Sequence, residues 1–302
     1  MKPIAVVGSY NVGLTIETDK VPAAGETVLG RGYSEGPGGK GSNQAIAAAR
    51  LGARVRFVGS VGKDRYGDEA LRLWESEGVM SEWVKRVEEH TGIAFIVVGP
   101  AGSNIIVVDP GANGRLSPAD VGTASAAIRG CGAVLTQLEI PSETAAAACR
   151  QAREEGAAVI LNPAPAKEGH RLDLSQVDVL TPNETEFGVL AGTADLDGGA
   201  RSLLAKGPGA VVVTLGERGA RVITKDDAVT VPAPRVRPLD TTGAGDAFNG
   251  ALAVALSEGE PLTSAVRFAN YAGALAVTRR EVVPALPTRQ ELDEFRRNDV
   301  LE

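Results

Sequence analysis

The sequence contains few of the residues that build metal or disulfide sites. Its 302 residues include two cysteines and two histidines. Cys131 lies on the approach to an apolar strand and Cys149 in an alanine-rich helical pattern, and none of the four residues is at the spacing of zinc ligands. We therefore expect no dedicated zinc site and two free, buried and inert thiols, consistent with a reducing cytosol.

Basic residues and long apolar runs are also scarce. The formal net charge is −7, from 31 Lys and Arg against 38 Asp and Glu, and the isoelectric point is near 5.1. An acidic chain without a run of Lys or Arg argues against a nucleic-acid partner. No stretch approaches the ~18 apolar residues of a membrane helix, and residues 1–3 lead directly into an apolar strand rather than a signal peptide. We expect a cytoplasmic protein without a membrane partner.

Aromatic residues make up only 4% of the chain, whereas Ala, Val and Gly are abundant. Short β-branched runs alternate with longer helical patterns. This alternation predicts right-handed βαβ units, and hence an α/β fold with a mostly parallel central sheet covered by helices on both faces. The predicted strands cover residues 4–7, 55–59, 133–137, 158–161, 179–181 and 210–214. The predicted helices cover residues 42–51, 68–77, 118–128, 142–155, 184–191, 199–206, 262–278 and 289–297.

Two segments break the strand–helix alternation. Residues 12–35 and 90–108 carry alternating apolar residues without a helical pattern between them, which is typical of antiparallel strands. We expect these strands to form a small sheet inserted in a single domain that spans residues 1–302.

Polar residues follow several predicted strands directly. In open α/β sheets, ligands bind beyond the carboxyl ends of the strands, so these residues are expected in one crevice. Each of them could equally cap a helix. They are Gly8-Ser9-Tyr10-Asn11, Gln137-Leu138-Glu139, Asn162-Pro163, Asn183 and Thr214-Leu215-Gly216.

The most informative segment covers residues 239–250, a run of small residues that ends at Asp246 and continues as an apolar helical pattern. Glycines let the backbone approach an anion closely, and a helix that begins behind them points free N–H groups at it. A carboxylate beside a bound anion is costly unless it has a task. The task that fits is general base for a hydroxyl that attacks a bound phosphate. The alternative is an Asp that caps the helix.

A second glycine cluster, Gly36-Pro37-Gly38-Gly39-Lys40-Gly41, also leads into an apolar helix. It satisfies the pattern G-x-G-x-x-G but follows the irregular segment 12–35 rather than the first strand, which argues against a dinucleotide site. It also differs from a P-loop, because Gly41 stands where Ser or Thr is required after the lysine.

Together, the two glycine segments resemble the paired signatures of the ribokinase-like carbohydrate kinases, the PfkB family. The resemblance extends from about residue 4 to residue 295, in the family's order. The segments that carry it are VVGSYN at 6–11, PAAGETV at 22–28, GGKGSNQAIAAARLGA at 38–53, GAN at 111–113, QLEIP at 137–141, LNPAPA at 161–166, TPNETE at 181–186, VTLGERG at 213–219, DTTGAGDAFNGAL at 240–252 and RFANYAGALAVTRR at 267–280.

The resemblance implies a role for each matching position. Asp246 would be the catalytic base, beside an anion hole of Gly243, Ala244 and Gly245. The sugar would be bound by Asn11, Gly38, Gly39, Lys40, Asn43, Glu139 and Asp246, with Lys40 close to the transferred phosphate. ATP would be bound by Asn183, Thr214, Gly216, Gly219, Gly245 and Asn270.

The resemblance also implies two metal ions. Glu186 would hold Mg²⁺ through water near the triphosphate; the alternative is that Asn183 and Glu186 only cap a helix. A K⁺ site would lie next to the anion hole. Its positions would be Asp240, Thr242, Ala276, Arg279, Glu281 and Ala285, where the family often has a serine hydroxyl in place of Ala285.

The main departure from the family pattern is at Gly13. Family members typically have an aspartate there that binds a pair of sugar hydroxyls. Loss of such a charge-assisted hydrogen bond removes about 1.5–3 kcal/mol, or roughly ten- to hundredfold in affinity. Glu139 and Asp19 are possible substitutes, or the substrate differs from ribose at this point.

The resemblance implies ATP-dependent transfer of a phosphoryl group to a primary hydroxyl of a small sugar, with Mg²⁺ and K⁺ as cofactors. D-ribose is the leading substrate, and deoxyribose, another pentose or a ketose is the alternative. A hypothesis from a different class is a non-catalytic homologue that senses a sugar or nucleotide; the intact base motif argues against it. In this family the small sheet lids the sugar site, and a homodimer through this lid is expected.

Overall fold

Thirteen strands and ten α-helices form in the residues that the computed structural model describes, 1–100, 103–166 and 173–299. Residues 101–102, inside the second predicted lid segment, lie outside the described residues. The strands are β1 (Ile4–Val7), β2 (Asn11–Thr18), β3 (Gly30–Gly38), β4 (Val55–Gly62), β5 (Val79–Val87), β6 (Gly92–Val98), β7 (Asn104–Asp109), β8 (Ala133–Thr136), β9 (Ala158–Leu161), β10 (Val179–Leu180), β11 (Ala210–Thr214), β12 (Ala220–Ile223) and β13 (Ala228–Val231).

The helices lie between these strands and after them. None of those in the described ranges combines the length and apolar character needed to cross a bilayer. They are α1 (Lys40–Arg50), α2 (Arg65–Ser76), α3 (Pro118–Thr123), α4 (Ser125–Ile128), α5 (Ser142–Glu154), α6 (Glu184–Ala191), α7 (Leu196–Leu204), α8 (Ala244–Ser257), α9 (Leu262–Ala276) and α10 (Arg289–Asp299).

The main sheet has nine strands in the order β13-β12-β11-β10-β9-β8-β1-β4-β5. Neighbours from β11 to β5 pair in parallel, and the pairs β11–β12 and β12–β13 at one edge are antiparallel. The prediction of a mostly parallel central sheet is therefore confirmed.

Helices cover both faces of this sheet, because successive strand residues point to opposite sides. In β1, Ile4 and Val6 belong to the core on one face, and Ala5 and Val7 belong to the core on the other. The first core includes residues of α1, α2, α8, α9 and α10, and the second includes residues of α3 to α7. A strand buried on both faces is a continuous apolar run, as in β1.

Some elements differ from the prediction. The edge strand β5 and the strands β12 and β13 were not expected, and the predicted helix 118–128 is divided into α3 and α4 at Ala124. In β5, Ser81, Glu82, Lys85 and Arg86 interrupt the apolar run, and Glu82 and Lys85 are exposed to solvent at this edge of the sheet. Helix α2 begins at Arg65, before the predicted residue 68, since the Asp64 side chain accepts a hydrogen bond from the Gly67 N–H and caps it.

The lid is a separate four-stranded sheet in the order β3-β2-β6-β7. Its outer pairs, β2–β3 and β6–β7, are antiparallel as expected, whereas its central pair, β2–β6, is parallel. The reason is topological. β2 and β6 follow β1 and β5 after short connections, and β1 and β5 run in the same direction in the main sheet. Both lid strands therefore leave the same edge of that sheet in the same direction.

Helices α1 and α8 approach each other closely at this edge of the main sheet. A Cβ at Gly250 in α8 would lie 2.6 Å from the Cβ of Ala47 and 2.9 Å from the carbonyl oxygen of Gln44 in α1. Only glycine leaves the space for this approach. As a result, side chains at the beginning of α1 reach the first turn of α8, where Asp246 lies.

Candidate active site

Asp246 lies in the first turn of α8 and is only 8% exposed. Both of its carboxylate oxygens accept hydrogen bonds from α1: Oδ2 from Asn43 Nδ2 at 2.9 Å and Oδ1 from Gln44 Nε2 at 2.9 Å. Burial raises the pKa of Asp246, and the Lys40 charge and the two amides offset only part of this rise. The result is a carboxylate that is oriented and more basic than one in water.

The turn before α8 exposes backbone N–H groups beside Asp246. Gly243 caps the helix in the left-handed conformation, with φ 80°, which glycine adopts without strain. Within the turn, Ala244 N–H donates to Thr241 O at 3.4 Å and Asp246 N–H donates to Gly243 O at 3.0 Å. Gly245, between them, is exposed. The helix start therefore offers the N–H group of Gly245 and the helix dipole to an anion on the solvent side.

Glu139 connects three segments of the site. Its Oε2 accepts hydrogen bonds from Ser9 Oγ at 2.6 Å, from the Lys40 backbone N–H at 2.9 Å and from Asn11 Nδ2 at 3.3 Å. Gly39, with φ 88°, allows this contact, because a Cβ there would lie 2.7 Å from the Asn11 backbone nitrogen. The predicted sugar-binding residues of the first loop, the glycine cluster and the loop after β8 are thus brought together.

Lys40 places a cation between the carboxylates of the site. Burial disfavours its charge, but the Asp246, Glu139 and Glu186 carboxylates together outweigh this effect and raise its pKa. Lys40 is therefore charged at neutral pH. Glu186 has the smallest of these three effects on the pKa of Lys40.

Asn113 fixes the position of Asn11. Its Oδ1 accepts a hydrogen bond from the Tyr10 N–H at 3.0 Å, and its Nδ2 donates to Tyr10 O at 2.8 Å and to Asn11 Oδ1 at 2.9 Å. Because the oxygen of the Asn11 amide is held in this way, its NH₂ group points toward Glu139 and the crevice. Asn113 comes from the 3₁₀ turn Gly111–Arg115, so this contact also connects the segment after β7 to the beginning of β2.

The predicted nucleotide residues lie at the ends of β10 and β11. Asn183 Oδ1 accepts a hydrogen bond from the Glu186 N–H at 2.8 Å, and Glu186 Oε2 accepts one from the Asn183 N–H at 2.9 Å. This is the capping box that sequence left as the alternative, and it uses one of the two Glu186 oxygens. Thr214 forms a parallel β-bridge with Asn183. The exposed 3₁₀ turn Gly216–Arg218 begins at Gly216 and is followed by Gly219.

Asn270 in α9 is buried rather than solvent-facing. Its Nδ2 donates to Val231 O at 2.9 Å and to Pro232 O at 3.3 Å. Both N–H groups are therefore used to attach the end of β13 to the helix, and this explains an asparagine in the middle of a helix.

The residues predicted to hold K⁺ lie in two segments, one directly before α8 and the other at the end of α9 and after it. Asp240 Oδ1 accepts from the Thr242 N–H at 2.9 Å, and Oδ2 accepts from the Glu281 N–H at 3.1 Å. Burial opposes the Asp240 charge, but these hydrogen bonds outweigh it and lower its pKa. Glu281 adopts a left-handed conformation, with φ 64°, which is strained for a residue other than glycine. Ala276 and Ala285 are buried beside this loop, and neither offers a side-chain oxygen.

Gly13 lies on β2 two residues after Asn11, on the same face of the lid. A Cβ built there would be 3.5 Å from Ile96 Cδ1 and 3.6 Å from Gly36 O, which is ordinary contact. Of the two proposed substitutes for the missing carboxylate, Glu139 lies in the site. Asp19 lies at the far end of the lid strand, exposed and paired with Arg31 at 2.5 Å, so it does not replace the missing group.

Two residues of the site, Gln44 and Asn113, had no role assigned from sequence. Gln44 binds the base and Asn113 holds Asn11. Gln44 did have a signal in the sequence, since it lies in a helix of Ala and Ile. A buried amide is costly unless it is hydrogen-bonded, so this position indicates a hydrogen-bond partner. Asn113 lacked such a signal, since its partners are distant in sequence. Among the described residues no cluster of three or more His, Cys, Asp and Glu side chains is arranged to hold a metal ion.

Comparison with known proteins agrees with this geometry. The ribokinase of Bacillus subtilis is 41% identical over 296 residues, 98% of this chain and 99% of the relative. The deoxyribokinase of Salmonella typhi is 38% identical over 301 residues, 97% and 98% of the two chains. The solved structure of Arabidopsis thaliana ribokinase, complexed with ribose and ATP, has a TM-score of 0.90 and 31% identity, with 97% of this chain and 98% of that chain covered.

The family model described as pfkB family carbohydrate kinase matches residues 1–289. This match includes both glycine segments and Asp246. The chain therefore belongs to the pfkB family of carbohydrate kinases.

Proposed function

We propose that the protein transfers the γ-phosphoryl group of ATP to the primary hydroxyl of D-ribose and forms ribose 5-phosphate and ADP. One observation carries the proposal: a buried carboxylate, Asp246, is held by two amides at the free N-terminus of α8, beside the charged Lys40. The ribokinase relatives and the neighbour solved with ribose and ATP favour ribose among the small sugars. ATP dependence favours the cytoplasmic location expected from the sequence.

In the proposed reaction, Asp246 takes the proton of the primary hydroxyl as the hydroxyl oxygen attacks the γ-phosphorus. The bond between the γ-phosphorus and the bridging oxygen breaks, and ADP leaves with the electron pair. Lys40 and the N–H groups of Gly243 and Gly245 face the charge that develops on the transferred group. Burial serves the base, because it makes the carboxylate a better proton acceptor than one in water.

Glu186 is the residue we assign to Mg²⁺. The capping box uses its Oε2, which leaves Oε1 for a water molecule of the metal shell, so the cap and the metal role are compatible. When bound, Mg²⁺ neutralises charge on the phosphates of ATP. On the sugar side we assign binding to Asn11, Gly38, Gly39, Lys40, Asn43 and Glu139, and on the ATP side to Asn183, Thr214, Gly216, Gly219, Gly245 and Asn270.

The variant Asp246→Asn tests the base. It keeps the shape of the side chain and cannot accept the proton, so kcat is expected to fall by at least ~10²-fold while ATP binding and the folded state are kept. Steady-state kinetics, calorimetric titration with ATP and thermal unfolding measure these three properties. Near-normal turnover would remove Asp246 from the base role. A folded, ATP-binding wild-type protein that phosphorylates none of a panel of sugars would favour the sensing homologue.

We also propose a K⁺ site between Asp240 and the loop of residues 276–285. The fit rests on the donor set: the Asp240 carboxylate has a lowered pKa, and the left-handed Glu281 brings a second loop against it. Oxygen ligands of this kind suit a hard cation. Carbonyl oxygens of Ala276, Arg279 and Glu281 would complete the set with Thr242, and Ala285 contributes no hydroxyl.

Activity is expected to be higher in K⁺ than in Na⁺ or a large organic cation, because a bound cation orders the residues that precede the anion hole. The assay compares initial rates in the three chloride salts at equal ionic strength. The variant Asp240→Asn, which removes the charge facing the cation, should reduce the difference between salts. Equal rates in all three salts contradict an active site for K⁺.

Gly13 is the position where the sugar preference is expected to depart from that of an ordinary ribose kinase. It lies on the same lid face as Asn11, and it leaves room without supplying an acceptor pair for a diol. This favours 2-deoxyribose as the alternative substrate, since that sugar lacks one hydroxyl of the pair. The 38% identity to a deoxyribokinase is consistent with this alternative.

The variant Gly13→Asp restores the carboxylate, and the backbone accepts it because Gly13 is not in a left-handed conformation. The KM for ribose is expected to fall by up to about tenfold, and the preference for ribose over deoxyribose to rise. Gly13→Asn is the matched control, with the same shape and no charge. If Gly13→Asp folds and its sugar profile and KM match those of the parent, the missing carboxylate does not determine specificity.

The lid favours a homodimer. On the face opposite to Asn11 and Gly13, Leu14, Phe95 and Val107 lie side by side across β2, β6 and β7. Phe95 is 53% exposed and Val107 62%. An apolar face of this kind on a small sheet favours burial against a second copy.

Light scattering of the wild-type protein should give the mass of a dimer. The variant Val107→Asp should dissociate this dimer, whereas Val108→Asp, on the other face of the lid, should leave it intact. A monomeric wild-type protein at micromolar concentration contradicts the proposal.

A further inference from the structure

A chain of buried amides supports the base from behind. Gln44 is fully buried, and its Nε2 donates both to Asp246 Oδ1 at 2.9 Å and to Asn162 Oδ1 at 3.1 Å. Its Oε1 accepts a hydrogen bond from Gln137 Nε2 at 2.6 Å. Both hydrogen atoms of the Gln44 amide are therefore donated. One goes to Asn162, and the other goes to Asp246 at the proposed reaction centre.

The surrounding contacts allow only one orientation of the Gln44 amide. Asn162 Nδ2 donates to the backbone oxygen of Thr181 at 2.9 Å, so its oxygen must face Gln44. Rotation of the Gln44 amide by 180° would place its NH₂ group against that of Gln137 and its oxygen against the Asp246 carboxylate. The contacts with Asp246 and Asn162 would become repulsive, because an oxygen would then face an oxygen in both. Gln137 does not fix the orientation by itself, since its own Oε1 lacks a hydrogen-bond partner and its amide could turn with that of Gln44.

A second connection holds the first turn of α8. Asn249 Nδ2 donates to Gly245 O at 2.8 Å, and Asn249 Oδ1 accepts from Thr181 Oγ1 at 2.6 Å. The residues after β9 and β10 thus support the carboxylate through Asn162 and Gln44, and the turn of the anion hole through Thr181 and Asn249. The Asp246 carboxylate and the turn before α8 are therefore both supported by the residues that follow β9 and β10.

We propose that Gln44 is a positioning residue, which holds the Asp246 carboxylate in the one orientation that serves proton transfer. The inference rests on the proposed role of Asp246 as the base. A neutral donor is suited to this position. It binds Oδ1 without transferring its own proton, so the carboxylate remains free to accept the proton of the sugar hydroxyl.

The charges around Asp246 determine the sign of the expected pH effect. Lys40 from α1 favours the ionised carboxylate, and Glu139 from the loop after β8 disfavours it. Gln44 and Asn43 favour the ionised form by donating hydrogen bonds, against the larger effect of burial. Removal of the Gln44 donor therefore raises the pKa of Asp246, and a carboxylate at position 44 raises it further because like charges repel.

The experiment measures kcat, both KM values and the pH profile of kcat/KM for the sugar in Gln44→Met and Gln44→Glu. In Gln44→Met we expect kcat to fall roughly 10- to 100-fold, with both KM values within about threefold of wild type. The acidic limb of the profile should move to higher pH in Gln44→Met and further in Gln44→Glu. Gln44→Glu also keeps the acceptor for Gln137, so it gives an answer if the methionine variant fails to fold.

Ser42→Ala is the matched control. Ser42 is fully buried on the same helix, and its Oγ accepts a hydrogen bond from Trp74 Nε1 at 2.9 Å. This variant loses a buried hydrogen bond far from the carboxylate. A destabilised helix α1 would affect all three variants, whereas loss of positioning moves the pH profile only in the Gln44 variants.

Unchanged pH profiles in both Gln44 variants would overturn the inference and leave Gln44 as a packing residue. A fall in kcat equal to that of Ser42→Ala would do the same. These outcomes are distinct from failure of the proposed function. If Asp246→Asn remains active, the base assignment itself is wrong. If Asp246→Asn is inactive while the Gln44 profiles are unchanged, only the role of Gln44 is wrong.

Discussion

The contact between helix α1 and the carboxylate of Asp246 is the interaction on which the rest of the site depends. A buried carboxylate is stable only where its oxygens are hydrogen-bonded, and Asn43 and Gln44 supply those bonds. To reach Asp246, α1 must lie against α8, and the missing side chain at Gly250 allows this. Lys40 at the beginning of α1 then enters the same crevice, and its backbone N–H binds Glu139. Asp246, Lys40 and Glu139 are therefore all positioned by contacts with one helix.

The lid adds a second constraint, because its two faces have different surroundings. Asn11 and Gly13 lie on the face toward the crevice, and Phe95 and Val107 lie on the opposite, exposed face. Asn113 holds the first residues of β2 on one side, and Glu139 holds Asn11 on the other. The end of the lid that carries Asn11 is thus attached to the main sheet and its loops.

The sequence predicted most of the architecture, and the exceptions have physical causes. The bounds of β1, β9 and β11 match the prediction, because strands buried on both faces are uninterrupted apolar runs. β5 was missed since its solvent-facing side carries charges that break such a run. The position of Asp246 at the beginning of a helix could be predicted, because small residues that end at a carboxylate precede an apolar helical pattern. The partners of Gln44 and Asn113 could not be predicted, because they lie more than 90 residues away and only folding brings them together.

A crystal structure with D-ribose and a non-hydrolysable ATP analogue tests the central claim most directly. The account predicts the primary hydroxyl oxygen of the sugar within about 2.6–3.2 Å of an Asp246 carboxylate oxygen, the range of a proton-transfer contact. It also predicts that Asn43 and Gln44 remain hydrogen-bonded to that carboxylate, and that the γ-phosphate lies at the beginning of α8. A sugar whose primary hydroxyl lies closer to Glu139 than to Asp246, or an Asp246 carboxylate turned away from α1, would contradict the account.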